Sequence, residues 1–132
     1  MILVDSNVLM YSSGADHANK LPAVQFLKRV AAGEVEANID AEVLQEIMHR
    51  YLSLHRWKEG RQVYTLARKL FPEALAITGA VMDNAKRLAD ESPAISARDA
   101  VHAAVVATYQ LEGICTFDKD FDDIPGCCRV VL

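Results

Sequence analysis

The residues of this chain best placed to do chemistry are acids that follow apolar runs. Asp5 ends the run 1–4, and Asp118 ends a later run, 114–117. In open parallel sheets, ligands bind outside the carboxyl ends of the strands. If both runs are buried strands of one sheet, the two carboxylates arrive at the same edge. Asp99 lies in the first turn of the helix that feeds the second strand and could reach that edge as well. A helix over about 41–54 offers Glu42 and Glu46, four apart and opposite its apolar residues, and spacing alone does not choose between them. Two bare carboxylates about 4 Å apart repel by about 4 kcal/mol at an effective dielectric of 20, so converging acids need protons or a cation. A hard divalent ion such as Mg²⁺ or Mn²⁺ prefers carboxylate and water oxygens, orients a phosphate and lowers the pKa of an attacking water.

These acids need elements that carry them. Residues 1–4 read as a first parallel strand, buried on both faces, that exits into a polar loop at Asp5-Ser6-Asn7. Ala23, Val24, Leu27, Val30 and Ala31 recur at helical spacing, with Pro22 in the first turn and Gly33 just past the end. A weaker strand over 35–39 follows. Asp40 then caps a helix whose apolar face is Val43, Leu44, Ile47, Met48, Tyr51 and Leu52. Further along, 58–70 reads as a helix, 74–77 as a short strand, and Thr78 as the cap of a helix with Val81, Ala85, Leu88 and Ala89 inward, ended by Ser92-Pro93. Ser96 caps a helix over 97–110 with Ala100, Val101, Ala104, Val105 and Thr108 on its buried side, and 114–117 and 129–132 return as strands. Strands separated by helices imply right-handed crossovers, hence a three-layer α/β/α sandwich with a mostly parallel central sheet.

At 132 residues and 52% apolar content the chain is expected to form one domain over 1–132 with a real core, not a disordered tail. With 14 Lys and Arg against 18 Asp and Glu, the net charge of −4 argues against a bulk cationic binder, so any nucleic-acid role rests on a local patch or a bound cation. No apolar stretch approaches the ~20 residues of a membrane span, and Asp5 interrupts the apolar start; a soluble, cytoplasmic protein is expected. Three cysteines, Cys115, Cys127 and Cys128, are an odd count without C-x-x-C spacing and read as reduced thiols.

Four segments together resemble the PIN-domain family, specifically its short VapC-like ribonuclease toxins: M-I-L-V-D-S-N-V-L-M at the start, V-L-Q-E-I in the capped helix, then S-A-R-D-A-V-H-A-A and C-T-F-D-K-D-F. The resemblance spans nearly the whole chain. It implies an α/β/α sandwich, an endoribonuclease dependent on one or two Mg²⁺ or Mn²⁺ ions, a homodimer, and a small cognate antitoxin that blocks the site. Carried onto this chain, it makes Asp5, Glu46, Asp99 and Asp118 the catalytic and metal-binding acids, which favours Glu46 over Glu42. It also gives Ser6 and Asn7 a supporting role beside Asp5 and makes Asp120 a further acid.

Each acid also has a structural reading. Ser96-Ala97-Arg98-Asp99 is a capping-box-like start worth about 1 kcal/mol, Asp5 could begin a turn, and Glu46 could be a solvated helix residue. Only the four together point to a site. His102 shares the Asp99 side of its helix and could support it by hydrogen bonding, without a catalytic role. One stretch, 49–69, is basic, with Arg50, Arg56, Lys58 and Arg61 interleaved with Trp57 and aromatic neighbours; it could contact RNA, an antitoxin or a second subunit. The competing readings are a non-catalytic PIN-like binding module and a receiver-like phospho-acceptor. The latter would want paired acids after the first strand, where Asp5 is followed by Ser6-Asn7.

Overall fold

A computed structural model describes residues 1–132. The apolar start forms β1 (Ile2–Val4), and β2 (Ala37–Asn38), β3 (Ile114–Cys115) and β4 (Arg129–Val130) join it in a sheet of order β2-β1-β3-β4. All three pairings are parallel, with Leu3 opposite Ile114 and Val4 opposite Cys115. Because β1 and β3 are parallel neighbours, the residues that follow them leave the sheet side by side, and the Asp5 N–H donates to the Cys115 carbonyl at 3.0 Å.

Six helices flank this sheet: α1 (Ser6–Ser13), α2 (Lys20–Ala31), α3 (Ala41–Ser53), α4 (Trp57–Leu70), α5 (Gly79–Glu91) and α6 (Ala97–Thr108). Successive strand side chains point to opposite faces, and the core divides accordingly. Val4 packs with Val8, Phe26, Val43, Ile47 and Val63 under α1 to α4. Leu3 packs with Val81, Val101, Val105, Ile114 and Phe121 under α5 and α6. The chain is therefore the expected α/β/α sandwich with a parallel sheet. No helix is long and apolar enough to cross a membrane.

Local signals placed most boundaries. Asp40, Thr78 and Ser96 each accept a hydrogen bond from the backbone N–H three residues on, as N-caps do. Past α2, Gly33 adopts φ +75°, while its N–H donates to Val30 and that of Glu34 to Arg29, the paired bonds of a Schellman end. At the α3–α4 crossing Gly60 is required by space, since a Cβ there would lie 2.4 Å from that of Tyr51.

Several expectations need correction. Asp5-Ser6-Asn7 is not a loop: Asp5 caps α1 directly, its side chain accepting from the Ser6 N–H. Residues 74–77 form no sheet strand, only a bridge between Leu75 and Asp40. The strands at 35–39, 114–117 and 129–132 shrink to two residues each. Met48 and Leu52 are exposed because α3 presents only its Val43–Ile47–Tyr51 stripe inward. On α6 every residue from Ala100 to Val106 is buried, while Thr108 is exposed at the helix end, so periodicity understated this helix's burial.

Candidate active site

The edge where β1 and β3 end carries the acids. Asp5, 6% exposed, is held through both carboxylate oxygens. Oδ1 accepts from the Ser6 N–H at 2.7 Å, and Oδ2 accepts from the Thr116 hydroxyl at 2.6 Å and the Asn7 amide at 3.2 Å. Burial pushes its carboxyl above the usual range, against the opposing pull of His102 and Thr116. Glu46 reaches in from α3: its Oε2 accepts from the Ser6 hydroxyl at 2.7 Å, and its Oε1 meets Nε2 of His102. Glu42, one turn earlier, lies instead 3.9 Å from the Arg98 guanidinium.

Asp99 stands at the start of α6, half-buried, and burial first, then Asp118 and Asp5 nearby, raise its carboxyl above the ordinary value. Asp118 follows β3 and caps the 3₁₀ turn Lys119–Asp123, accepting from the Asp120 N–H at 2.9 Å. The acids thus fall into two adjoining groups. Ligand atoms of Asp5, Glu46 and His102 lie within 4.8 Å of one another, as do those of Asp99, Asp118 and Asp120. No Lys or Arg forms an ion pair with Asp5, Glu46, Asp99, Asp118 or Asp120. Hard oxygen donors gathered without a Lys or Arg partner suit a divalent cation such as Mg²⁺ or Mn²⁺.

Two contributors, Thr116 and Asp40, had no site role in the sequence reading, and a third, His102, had a different one. Thr116 ties Asp5, Asn7 and the Asp118 N–H together through its hydroxyl; its only signal is the T-x-D spacing. Asp40 and His102 form the third side. His102 does not support Asp99, as expected, but sits between Asp40 and Glu46, its Nδ1 2.7 Å from Asp40 Oδ2. Burial alone would lower the pKa of the ring, and its bonds to Asp40 and Glu46 overcome that and hold it well above the usual value. Nothing local marks a pair 62 positions apart.

The basic stretch is divided. A cleft of about 580 Å³ opens beside Asn7 between the end of α1 and the α3–α4 pair, lined by Tyr11, His17, Arg50 and Arg56 among others. Arg56 is already paired with Glu59. Trp57 is half-buried, packed in part against the core. Lys58 and Arg61 are exposed and do not line the cleft.

Comparison with known proteins agrees with this architecture. The PIN domain family model matches residues 2–126. The chain is similar to Ribonuclease VapC13 of Mycobacterium tuberculosis, 38% identical over 130 residues, covering 98% of this chain and 99% of that one. It is 33% identical over 118 residues to Ribonuclease VapC23 of the same organism, covering 89% and 93%. In fold it resembles a VapBC2 structure from Rickettsia felis bound to a promoter DNA fragment, with a TM-score of 0.77 at 15% identity, covering 100% of this chain and 99% of that one. A toxin-antitoxin complex from Klebsiella pneumoniae matches with a TM-score of 0.65 at 22% identity, covering 97% and 96%. A PIN domain match over residues 2–126 and 38% identity to a VapC ribonuclease along almost the whole chain place this protein in the PIN-domain family, among its VapC ribonucleases.

Proposed function

We propose that this chain is a divalent-metal-dependent endoribonuclease, the toxin of a toxin–antitoxin pair, that hydrolyses RNA phosphodiesters with water as the nucleophile. The observation that carries this reading is the convergence of Asp5 and Glu46 with Asp99 and Asp118 at the end of β1 and β3. Relatives named as ribonucleases at up to 38% identity support the chemistry. Structural neighbours described as VapBC and toxin-antitoxin complexes support a small antitoxin as partner.

In this reading Asp5, Glu46, Asp99 and Asp118 hold one or two Mg²⁺ or Mn²⁺ ions, and Asp120 extends the set toward solvent. The chemistry a bound divalent cation supplies is neutralisation of the scissile phosphate and acidification of a water. The remaining work belongs to the chain. Ser6, Asn7 and Thr116 fix the Asp5 carboxylate, so its oxygens need no reorganisation when substrate binds. Arg50 in the cleft beside Asn7 is placed to neutralise an RNA phosphate, Arg56 does so by exchanging Glu59 for one, and Lys58 and Arg61 offer further positive charge outside the cleft. One domain over 1–132, a homodimer and a cytoplasmic location complete the proposal.

The test is cleavage of a mixed RNA pool by wild type and Asp5→Asn, with Mg²⁺, with Mn²⁺ and with EDTA. Asn retains the cap of α1, so the variant keeps its fold and loses cutting, and EDTA silences the wild type. No cutting under any condition, with Mg²⁺ also failing to raise thermal stability, would replace the enzyme by a binding module.

A further inference from the structure

The four acids are not held alike. Asp5 accepts from the Ser6 N–H and Asp118 from the Asp120 N–H, so the backbone itself orients both. Glu46 has a longer side chain and bonds only with two side chains, the Ser6 hydroxyl and His102. A glutamate on a helix surface has three rotatable bonds and samples many rotamers unless something fixes it. His102 is 1% exposed, and its other nitrogen contacts Asp40 Oδ2 at 2.7 Å. Asp40 is fully buried and is itself pinned, its Oδ1 accepting from the Val43 N–H at 2.9 Å. The chain Val43–Asp40–His102–Glu46 therefore runs from the first turn of α3, across to α6, and back to α3 less than one turn past Val43.

We propose that His102 is a positioning residue: braced by Asp40 on Nδ1, it sets the Glu46 carboxylate from Nε2 and thereby the geometry in which the site takes a cation. The inference rests on the reading of Glu46 as a metal-binding acid. The imidazole is suited to this because its two nitrogens point in fixed, divergent directions, so an anchor on one side orients the donor on the other. Nε2 lies 3.9 Å from Asp5 Oδ1, beyond hydrogen-bond reach, so the ring hydrogen-bonds Glu46 and bears on Asp5 only through its charge.

The experiment is titration of the purified full chain with Mn²⁺, followed by electron paramagnetic resonance, with kcat and KM for RNA cleavage measured on the same variants. His102→Asn keeps an amide where Nδ1 was and cannot reach Glu46; His102→Gln places its amide near Nε2. Outer partners of metal ligands are worth about 10–100-fold in metal affinity or activity. His102→Asn therefore weakens Mn²⁺ binding by about tenfold or more and lowers kcat with KM little changed, while His102→Gln recovers most of the loss. In a Glu46→Ala background His102→Asn adds nothing, because its route is gone. Asp40→Asn, which leaves the ring in place but loosens it, gives the same weakening in milder form if His102→Asn does not fold.

Wild-type Mn²⁺ affinity in His102→Asn overturns the inference, as does further weakening in the Glu46→Ala background. So does a histidine nitrogen coupling on Mn²⁺ in the wild type, which would make the ring a ligand. A chain that cuts RNA but whose Mn²⁺ affinity ignores His102 loses this inference and keeps the nuclease reading. A chain whose Mn²⁺ affinity depends on His102 through Glu46, yet which cuts no RNA, loses only the nuclease reading.

Discussion

The two halves of the acidic edge are built on different principles. In the inner half, Asp5, Glu46 and His102 are buried or nearly so, and every buried side-chain nitrogen and oxygen of the protein has a hydrogen-bond partner. In the outer half, Asp99 and Asp118 are half-buried, Asp120 is exposed, and no positive side chain pairs with them. The inner half is held in place by donors from α1, from α6 and from Thr116 just past β3. The outer half keeps its negative charge open, and that is where added positive charge changes the energy most. Rigidity on one side and unbalanced charge on the other is an arrangement in which a cation and a phosphate can meet without the site having to rearrange.

Substitutions on the two sides separate activity from stability. Asp99→Asn is expected to cut RNA cleavage by more than about 100-fold, beyond the range of partners that only support a ligand, while its metal-free thermal midpoint stays level or rises. The carboxylate is held above its ordinary pKa by burial, so the folded state disfavours the charge that Asn removes. Glu46→Ala also loses activity but costs about 1–3 kcal/mol of stability by leaving His102 without its acceptor. Thermal unfolding beside a cleavage assay checks both, and equal destabilisation by the two variants would erase the distinction between the halves.

The same charge balance predicts a pH dependence. Asp5 and Asp99 both carry raised pKa values, with burial the first cause. A carboxyl whose folded pKa exceeds its unfolded one, about 4, favours the fold while protonated and loses that contribution as the pH rises through the folded value. The raised pKa of His102 acts in the same direction, its contribution falling away once the pH passes the unfolded value of about 6.5. The metal-free protein therefore loses stability as the pH rises from about 4, and the gap between Mg²⁺ and EDTA melting curves widens as these groups lose their protons, toward about 2.7 kcal/mol at a hundredfold excess of ion over Kd. A constant gap would place the cation away from these two acids.

Packing sharpens the contrast further. Gly60 lets α4 approach Tyr51 on α3, the helix that carries Glu46. Gly60→Ala forces that crossing apart and costs about 1–3 kcal/mol by denaturant unfolding, whereas Asp123→Asn in the outer turn changes stability by less than about 0.5 kcal/mol. The smallest effect concerns the thiols. Burial pushes Cys115, beside Thr116 on the inner side, and Cys127 up to about 12. Only the exposed Cys128 is then alkylated in the native protein at neutral pH, and mass spectrometry shows one label, rising to three after unfolding.

Much of this was legible in the sequence where the physics is local. Asp40, Thr78 and Ser96 announced three helices because a cap bonds only to the next turn, and Gly33 announced an end because a left-handed residue was needed there. The whole of α1 was missed, because Asp5-Ser6-Asn7 reads equally as a turn and as a cap. The run 74–77 has strand composition, but only Leu75 reaches a neighbour, and pairing depends on where the rest of the chain lies.

By itself, then, the amino-acid sequence determined the alternation of strands and helices, and with it the arrival of Asp5 and Asp118 at one sheet edge. Both follow from hydrophobic patterning and from the rule that parallel strands end together. Helical spacing left Glu42 and Glu46 open until the resemblance favoured Glu46, and only the tertiary structure decided what Glu46 meets there and that His102 leaves Asp99 for a carboxylate pair contributed by α3. Those outcomes depend on how α3 and α6 pack across the edge. Two helices can bury the same apolar stripes at many relative rotations, and the polar side chains that meet are settled only when the cores on both faces of the sheet close together.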